Sequence, residues 1–489
     1  MADADNSKPD SSQRPARAQT IGLVLGPLFL LATLVLPAPV DMSPEAWATL
    51  GMMLLMATWW ATEAIPIPAT ALLPIVLIPA LGIDSIKAAT TPYANPLIFL
   101  FLGGFTIGLA MQRWNLHKRI ALATLLAVGS APRRQIAGFM LATAFLSMWV
   151  SNTATSIMML PIGVSVINLV ADNDSDDARR FAVALLLAIA YSASVGGIAT
   201  LIGTPPNALL AGYLADNHDI TVGFAQWMLL GVPVSAVMLV LIWWWLTRSG
   251  FDLGDTGDSG DLIRDKFRDL GPLSRGEKRV ALVFIVTAAA WIFRPLLSDA
   301  LLPWLNDTII AIAAAIALFL IPVDRSRGQY VMNWEATSDM PWGVLLLFGG
   351  GLSMAGAVSG SGLAEWIAES LSVIGVVPVL LMVALVATVI IFLTEVSSNT
   401  ATTAAFLPLM GALAVSQGLA PELLAVPAAI AASCAFMMPV ATPPNAIVFA
   451  SGHMKIGNMI RAGFVLNLAG IVVVTLMGYV LMGWVFGLG

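Results

Sequence analysis

The pentapeptide SNTAT occupies residues 151–155 and returns, letter for letter, at residues 398–402. Both copies lie in strongly apolar surroundings. Of 489 residues, 58% are hydrophobic and 11% are charged, and the mean hydropathy is +0.87. Water-soluble domains carry about a quarter of their residues charged. The composition therefore excludes an ordinary soluble domain and predicts a polytopic membrane protein.

Each copy of SNTAT interrupts an apolar region halfway, the first near 135–170 and the second near 374–416. The arm QIAGFMLATAFLSMWV, which precedes the first copy, would be about 24 Å long as a helix. That length is marginal for crossing about 30 Å of hydrocarbon, and the motif that follows the arm is polar. We therefore predict that each region is a re-entrant helical hairpin with SNTAT at its tip.

The remaining apolar stretches are long enough to cross the membrane as helices. They lie near residues 19–37, 46–63, 66–82, 97–112, 181–203, 223–247, 279–296, 307–322, 342–358, 422–449 and 462–487. The predicted fold class is an all-α polytopic membrane protein with eleven transmembrane helices and two re-entrant helical hairpins.

The distribution of basic residues supports this topology, because Lys and Arg concentrate in cytoplasmic loops. With a cytoplasmic amino terminus and both hairpins entering and leaving on one side, only Lys87 and Arg294 of the 23 basic residues fall outside. Counting the first hairpin as one crossing would place the basic linker at 248–279 outside. The predicted location is the plasma (inner) membrane, with the amino terminus in the cytoplasm.

The two halves of the chain match in sequence. FLGGFTIGLA from residue 101 resembles LFGGGLSMAG from residue 347, SNTATSIMMLP from 151 matches SNTATTAAFLP from 398, and GTPPNA from 203 matches ATPPNA from 441. Five crossings separate the hairpins, and an odd number places them on opposite faces of the membrane. This is an inverted repeat, an architecture in which secondary transporters bind substrate near the membrane midplane.

Both repeated motifs supply groups that such a site needs. Irregular backbone at membrane depth is tolerated only where it is buried in protein or lines an aqueous cavity. NH groups at helix amino termini attract anions, while carbonyl and hydroxyl oxygens suit a hard cation such as sodium. Two tips related by a pseudo-twofold axis would each bind one carboxylate, so the predicted ligand is a small dianion with a charge at either end.

The TPPN motifs, Thr204–Asn207 and Thr442–Asn445, should each break a membrane helix, because proline lacks an NH and disfavours helix at the residue before it. Gly203 and Ala441 precede these motifs and are small enough for their carbonyls to reach a cation. Ser147 and Thr394, one turn before the SNT tips, would place a hydroxyl beneath each tip on the same helix face.

Glu395 is an acid at membrane depth with two interpretations. It could be a proton or cation ligand, or a hydrogen-bond acceptor that supports the site from behind. Its counterpart in the other repeat is Met148, so it does not belong to the symmetric pair of sites. We favour the acceptor role.

The paired SNT tips, the paired TPPN breaks and the segment ATEAIPIPATALLP at 61–74 resemble the divalent anion/sodium symporter family, over essentially the whole chain from residue 19. The resemblance implies a homodimer, in which a scaffold domain holds the dimer interface and a transport domain with both hairpins moves as an elevator. On this division 1–18 is a disordered cytoplasmic tail, 19–134 and 279–372 form the scaffold, 135–249 and 373–489 form the transport domain, and 250–278 is a cytoplasmic linker.

The resemblance also implies the roles of individual residues. The first sodium site would use Ser147, Ser151, Asn152 and Gly203, and the second Thr394, Ser397, Asn399 and Ala441. The substrate carboxylates would contact Ser151, Asn152, Thr153, Ser398, Asn399 and Thr400, with Thr204 and Thr442 nearby. The expected ligands are a dicarboxylate, sodium and membrane lipid, without a prosthetic group or a nucleic-acid partner.

Both SNT motifs are intact, which in that family accompanies C4-dicarboxylates rather than sulfate. The predicted function is sodium-coupled uptake of succinate, malate or fumarate. A sodium-independent dicarboxylate exchanger and a carrier of citrate or sulfate stay open as alternatives. A channel is less favoured, because no span is polar along one face. An enzyme is not expected, because Glu395 alone is not a catalytic cluster.

Overall fold

The computed structural model describes residues 17–170, 175–251, 253, 257–300, 302–372 and 377–487. Its first half contains α1 (Arg17–Val35), α2 (Pro44–Thr62), α3 (Ile67–Thr70), α4 (Leu73–Ala80), α5 (Ile86–Thr90), α6 (Pro96–Arg113), α7 (Leu116–Val128), α8 (Pro132–Ser147), α9 (Asn152–Val170), α10 (Asp176–Ile198), α11 (Pro205–His218), α12 (Phe224–Thr247) and α13 (Gly257–Asp269).

The second half contains α14 (Arg275–Ala300), α15 (Asp307–Leu320), α16 (Trp342–Gly360), α17 (Leu363–Ser372), α18 (Val379–Thr394), α19 (Asn399–Ser416), α20 (Glu422–Ala432), α21 (Pro443–Phe449) and α22 (Ile456–Phe486). Single 3-10 turns lie at Thr91–Ala94 and Trp334–Asp339. The predicted all-α class holds apart from one antiparallel pair of strands, β1 (Pro322–Asp324) and β2 (Gln329–Tyr330), where the chain reverses through Gly328.

The described helices are those of a multi-pass membrane protein. Among the residues that the structure covers, eight helical segments are long and apolar enough to cross a membrane, and four apolar ones are shorter. Large apolar side chains such as Leu31, Leu282 and Val480 are exposed on the outer surface, where lipid rather than water would cover them. The polytopic membrane class is confirmed.

Both SNTAT motifs interrupt helices where the sequence predicts. Helix α8 ends at Ser147 and α9 begins at Asn152, and α18 ends at Thr394 before α19 begins at Asn399. Both TPPN motifs likewise follow a break and begin a helix, α11 at Pro205 and α21 at Pro443. The prolines stand in the first helical turn, where their missing NH costs no hydrogen bond.

Several predicted boundaries were wrong. The crossing predicted at 66–82 is two short helices, because Pro74 has no NH for the preceding turn and α3 ends before it. Helix α10 ends at Ile198 instead of continuing to 203, and the crossing predicted at 422–449 is split between α20 and α21. The predicted tail at 1–18 lies outside the described residues except for its last two, which begin α1.

Helix α10 forms the centre of the fold. Its apolar window is 94% buried, the highest share among the eight candidate spans of the described chain. It packs against α8, α9, α12 and also α21 from the second half. The hydroxyl of Tyr191 on α10 donates to the carbonyl of Phe436, at 2.7 Å, in the break between α20 and α21. The two halves are therefore interlocked rather than side by side.

The hydrophilic linker also has structure. Helix α13 lies within it and packs against α7 and α9. Gln135, near the beginning of α8, donates to the hydroxyl of Ser259 on α13. Arg119 on α7 forms an ion pair with Glu277, at 2.6 Å, where α14 begins. These contacts hold the linker against the ends of the membrane helices.

Candidate functional site

Both SNT motifs and both TPPN motifs line one cavity of about 430 Å³. Ten of the residues predicted for the site meet there: Ser151, Asn152, Thr153, Gly203 and Thr204 from the first half, and Ser398, Asn399, Thr400, Ala441 and Thr442 from the second. The two halves thus contribute matching segments to a single site, although the motifs are far apart in sequence.

Helices α9 and α19 begin at residues that line this cavity, namely Asn152 and Asn399. The first turn of a helix has unpaired NH groups and the positive end of the helix dipole. An anion inside the cavity would therefore meet hydrogen-bond donors from both halves of the chain.

The rest of the lining is neutral except at one position. Its other members include the apolar residues Ile67, Phe105 and Val344. Among the described residues of the lining, Glu63, which follows α2, is the one charged residue, and none is Lys, Arg or His. A dianion in this cavity would have neutral donors around it but no positively charged side chain to compensate its charge.

A group of oxygen atoms lies behind the first SNT tip. The buried hydroxyl of Ser147 is 2.6 Å from the carbonyl oxygen of Ala193 and 2.6 Å from the side-chain oxygen of Asn152. The same end of the Asn152 amide lies 3.3 Å from Ala193 O and 3.1 Å from Gly203 O. Because Ser147 has one hydroxyl hydrogen, it cannot donate to both neighbouring oxygens.

Two arrangements of the Asn152 amide satisfy this group. With the amide turned, its NH₂ donates to Ser147, Ala193 and Gly203. With the oxygen facing inward, four oxygen atoms converge, and oxygen atoms are the ligands that a hard cation prefers. The predicted first-site residues Ser147, Asn152 and Gly203 therefore meet, and the Ala193 carbonyl, which sequence reasoning missed, joins them.

The second SNT tip repeats this arrangement. The buried hydroxyl of Thr394 lies 2.7 Å from the side-chain oxygen of Asn399 and 3.2 Å from the carbonyl of Ala432. Asn399 and Ala441 both line the cavity. Ser397 is not part of this group, because its hydroxyl bonds to the Leu393 carbonyl at 2.9 Å and to the Thr402 hydroxyl at 2.7 Å.

The last residue of each TPPN motif donates hydrogen bonds to backbone carbonyls at the preceding helix break. The fully buried amide of Asn207 donates to the carbonyls of Gly197, Ile198 and Thr200 at 3.2, 3.3 and 2.8 Å. Asn445 donates to the carbonyls of Ala435 and Met438 at 3.2 and 3.0 Å. The sequence analysis gave neither asparagine a role of its own. The repetition of asparagine at the end of both TPPN motifs could have indicated one.

Glu395 supports the second break and does not line the cavity. Its Oε1 accepts the NH groups of Phe436 and Met437 at 2.7 and 2.9 Å, and its Oε2 accepts that of Met438 at 2.9 Å. The amide of Asn467 donates to Oε1 at 2.7 Å. These bonds agree with the acceptor role favoured for this residue. In the first half, the Thr200 hydroxyl instead donates to the Met148 carbonyl at 2.5 Å.

The first oxygen group is packed more tightly than the second. A Cβ on Gly203 would lie 2.4 Å from the Gly197 carbonyl oxygen, closer than real side chains approach. A Cβ on Gly197 would lie 2.9 Å from both Asn152 Oδ1 and Gly203 O. In the second half, Ala435 and Ala441 stand at the equivalent positions. The two groups are therefore related by the repeat but are not identical.

A repeated helical fold that encloses a cavity at paired helix breaks is typical of membrane transport proteins. The chain belongs to the family described as the sodium:sulfate symporter transmembrane region, whose model matches residues 17–488.

Curated relatives cover nearly the whole chain. It is 43% identical to a sodium-dependent dicarboxylate transporter of Staphylococcus saprophyticus, over 96% of this chain and 92% of the relative. It is 42% identical to the protein of the same name from Staphylococcus aureus, over 99% and 95%.

Two solved structures share the fold. The Alcanivorax borkumensis YdaH transporter matches with a TM-score of 0.60 at 14% identity, over 96% of this chain and 99% of that one. The Neisseria gonorrhoeae MtrF structure matches with a TM-score of 0.57 at 14% identity, over 98% and 96%. At these identities, the likeness concerns the fold alone.

Proposed function

We propose that this protein imports C4-dicarboxylates, namely succinate, malate or fumarate, together with sodium. The observation that carries the proposal is the cavity lined by both SNT motifs, which has abundant neutral donors and no positively charged side chain in its lining. The relatives named sodium-dependent dicarboxylate transporters support a dicarboxylate as the substrate class and sodium as the coupling ion.

The charge of the substrate explains why sodium is needed. Moving an unpaired anion out of water is strongly unfavourable, and more so for a dianion. Because the described part of the cavity lining has no Lys, Arg or His, we propose that cations bound beside the substrate compensate the charge. Sodium and the dicarboxylate then each raise the affinity of the protein for the other. A sodium-independent exchanger would leave this charge without compensation.

The oxygen groups support the residue roles. We assign the first sodium ion to Ser147, Ser151, Asn152 and Gly203, and the second to Thr394, Ser397, Asn399 and Ala441; at the first site the Ala193 carbonyl is a further ligand. Ser397 can contribute only by its backbone or after its hydroxyl turns. The substrate carboxylates bind Ser151, Asn152, Thr153, Thr204, Ser398, Asn399, Thr400 and Thr442.

The interrupted helices act as re-entrant hairpins in an elevator with eleven crossings. The contacts of α13 support this for the first hairpin, because α13 bonds to Gln135 near the beginning of α8 and also packs against α9. The transport domain comprises 135–249 and 373–489, and the scaffold comprises 19–134 and 279–372. We further propose a homodimer in the inner membrane with its amino terminus in the cytoplasm.

Uptake of radiolabelled succinate into proteoliposomes tests the function. Wild-type protein should take up succinate only with an inward sodium gradient, and internal dicarboxylate should not be required. Liposomes without protein and liposomes containing the Asn152→Ala variant serve as controls. Uptake that needs internal dicarboxylate and ignores sodium would overturn the symport mechanism in favour of exchange.

A further inference from the structure

Glu63 is a negative charge placed where an anion must pass. It is the one charged residue among the described residues that line the cavity of the SNT motifs, and it is exposed. Within the part of the chain that the structure describes, its carboxylate has no ion-pair partner. It follows the carboxyl end of α2, so the negative end of that helix dipole adds to its field.

The backbone at Glu63 is unfavourable for this residue type. Its φ is +48° and its ψ is +40°, the left-handed conformation, and its NH caps α2 by donating to the Trp59 carbonyl. Glycine or asparagine adopts this conformation at lower cost, and glycine is the usual residue at such a helix end. A glutamate here therefore costs stability, and capping α2 does not require its side chain.

The position of Glu63 places its charge on the cytoplasmic side of the cavity on the proposed topology. On the proposed topology, α2 runs from the outside to the cytoplasm, and Glu63 lies at its cytoplasmic end. Pro341 and Val344, where α16 begins, line the same side of the cavity. All three belong to the proposed scaffold, whereas the SNT tips belong to the proposed transport domain. The charge thus faces the substrate on the cytoplasmic route.

We infer that Glu63 sets the balance between sodium and dicarboxylate at the cytoplasmic mouth of the site. Its carboxylate attracts sodium to the oxygen groups and repels a dianion, so that substrate dissociates readily once sodium leaves. This inference rests on the proposed function and names a specificity-determining residue for it. The repulsion between Glu63 and the anion is electrostatic, so its free energy is twice as large for a doubly charged anion as for a singly charged one.

Equilibrium binding to purified protein tests the inference. Glu63→Gln should weaken sodium binding without substrate about 3-fold and tighten succinate binding at saturating sodium about 10-fold, with a gain of only about 3-fold for the monoanion succinamate. Both shifts should shrink when choline chloride raises the ionic strength. A merely structural role for Glu63 would not move the two ligands in opposite directions.

Three matched variants complete the experiment. Glu45→Gln removes an exposed acid from the first turn of the same helix and should bind both ligands as the wild type does. Glu63→Asp keeps the charge and should also resemble the wild type. Glu63→Asn removes the charge in a residue that tolerates the left-handed backbone, so it should reproduce the binding shifts while raising the melting temperature.

The outcomes separate the two claims. If the wild type binds succinate with sodium but Glu63→Gln and Glu63→Asn both match Glu45→Gln, the inference is wrong and the proposed function stands. If the wild type binds no succinate at any sodium concentration, the proposed function fails and the inference fails with it.

Discussion

The side-chain nitrogen of Asn95 donates to both carboxylate oxygens of Asp216, at 2.9 and 2.7 Å. Asn95 caps α6 in the proposed scaffold, and Asp216 lies near the end of α11 in the proposed transport domain. A second bond, from the Ser359 hydroxyl to the Asn217 side-chain oxygen at 2.8 Å, joins the same two domains. On the proposed topology these contacts lie on the outer side, opposite Glu63.

An elevator must break these outer-side contacts in every cycle, so Asp216→Ala should favour the outward-open state by at least about tenfold, the equivalent of about 1.5 kcal/mol for one hydrogen bond to a charged group. A cysteine at Val440, which lines the cavity and is 75% exposed, reports the state in a Cys434→Ala background. Labelling by an impermeant thiol reagent from outside should increase. Asp219→Asn, on the same exposed turn, should leave labelling unchanged, and equal labelling of both variants would contradict the prediction.

Asn152→Ala and Asn399→Ala should each abolish sodium-driven succinate uptake, because each removes an amide from one oxygen group and from the cavity lining. Size-exclusion chromatography should still show folded protein. Ser165→Ala is a matched control on α9, since its hydroxyl bonds only to the Pro161 carbonyl of its own helix. Normal uptake by either asparagine variant would contradict the proposal that both asparagines bind the substrate and sodium.

The tighter packing of the first oxygen group predicts unequal effects of one methyl group. Gly203→Ala would place its Cβ 2.4 Å from the Gly197 carbonyl oxygen, so the backbone must shift and the apparent sodium affinity should fall at least about tenfold. Ala441→Gly, the reverse change in the second half, should alter sodium affinity by less than about threefold. The sodium dependence of uptake gives the apparent sodium affinity of both variants. Equal changes in affinity would contradict the prediction, because they would show that the two oxygen groups tolerate the methyl group equally well.

Glu395→Ala should lower stability by about 3 kcal/mol, because it leaves the buried NH group of Phe436 and the half-buried NH groups of Met437 and Met438 without an acceptor. Glu395→Gln should destabilise less, since it retains one oxygen but turns an NH₂ toward donors. Thermal unfolding of purified protein measures both changes. Glu365→Gln, an exposed acid on α17, is the control.

The Glu395→Gln variant also distinguishes a hydrogen-bond acceptor role of Glu395 from a cation-ligand role. Because Glu395 does not line the cavity, folded Glu395→Gln protein should keep the sodium dependence of the wild type. A stable variant that no longer responds to sodium would instead make Glu395 a cation ligand.

The helical membrane class and the positions of the helix breaks were predictable because both depend on local chemistry. Apolar runs and prolines act on the segment that contains them, and the repeated motifs marked which breaks mattered. Boundaries such as the end of α10 at Ile198 were less accessible, because the carbonyls freed there are stabilised by Asn207 from the next helix.

The parts of the site that escaped prediction all depend on tertiary contacts. The Ala193 carbonyl joins the first oxygen group only because α10 packs against α8. Ser397 could not be distinguished from its neighbours by sequence, since its hydroxyl turns toward Thr402 in the first turn of α19. Glu63 lies in the quoted segment at 61–74, but nothing local indicates that it lines a cavity formed by residues from both halves.

The bond from Tyr191 to the Phe436 carbonyl bears on the ancestry of the chain. A helix of the first half here stabilises the break of the second, and both halves line one cavity, so neither half encloses that cavity alone. If the halves arose by duplication, the ancestral protein must already have paired with an oppositely oriented copy of itself. Fusion then allowed the copies to diverge, and the pair Gly203 and Ala441 records one such divergence.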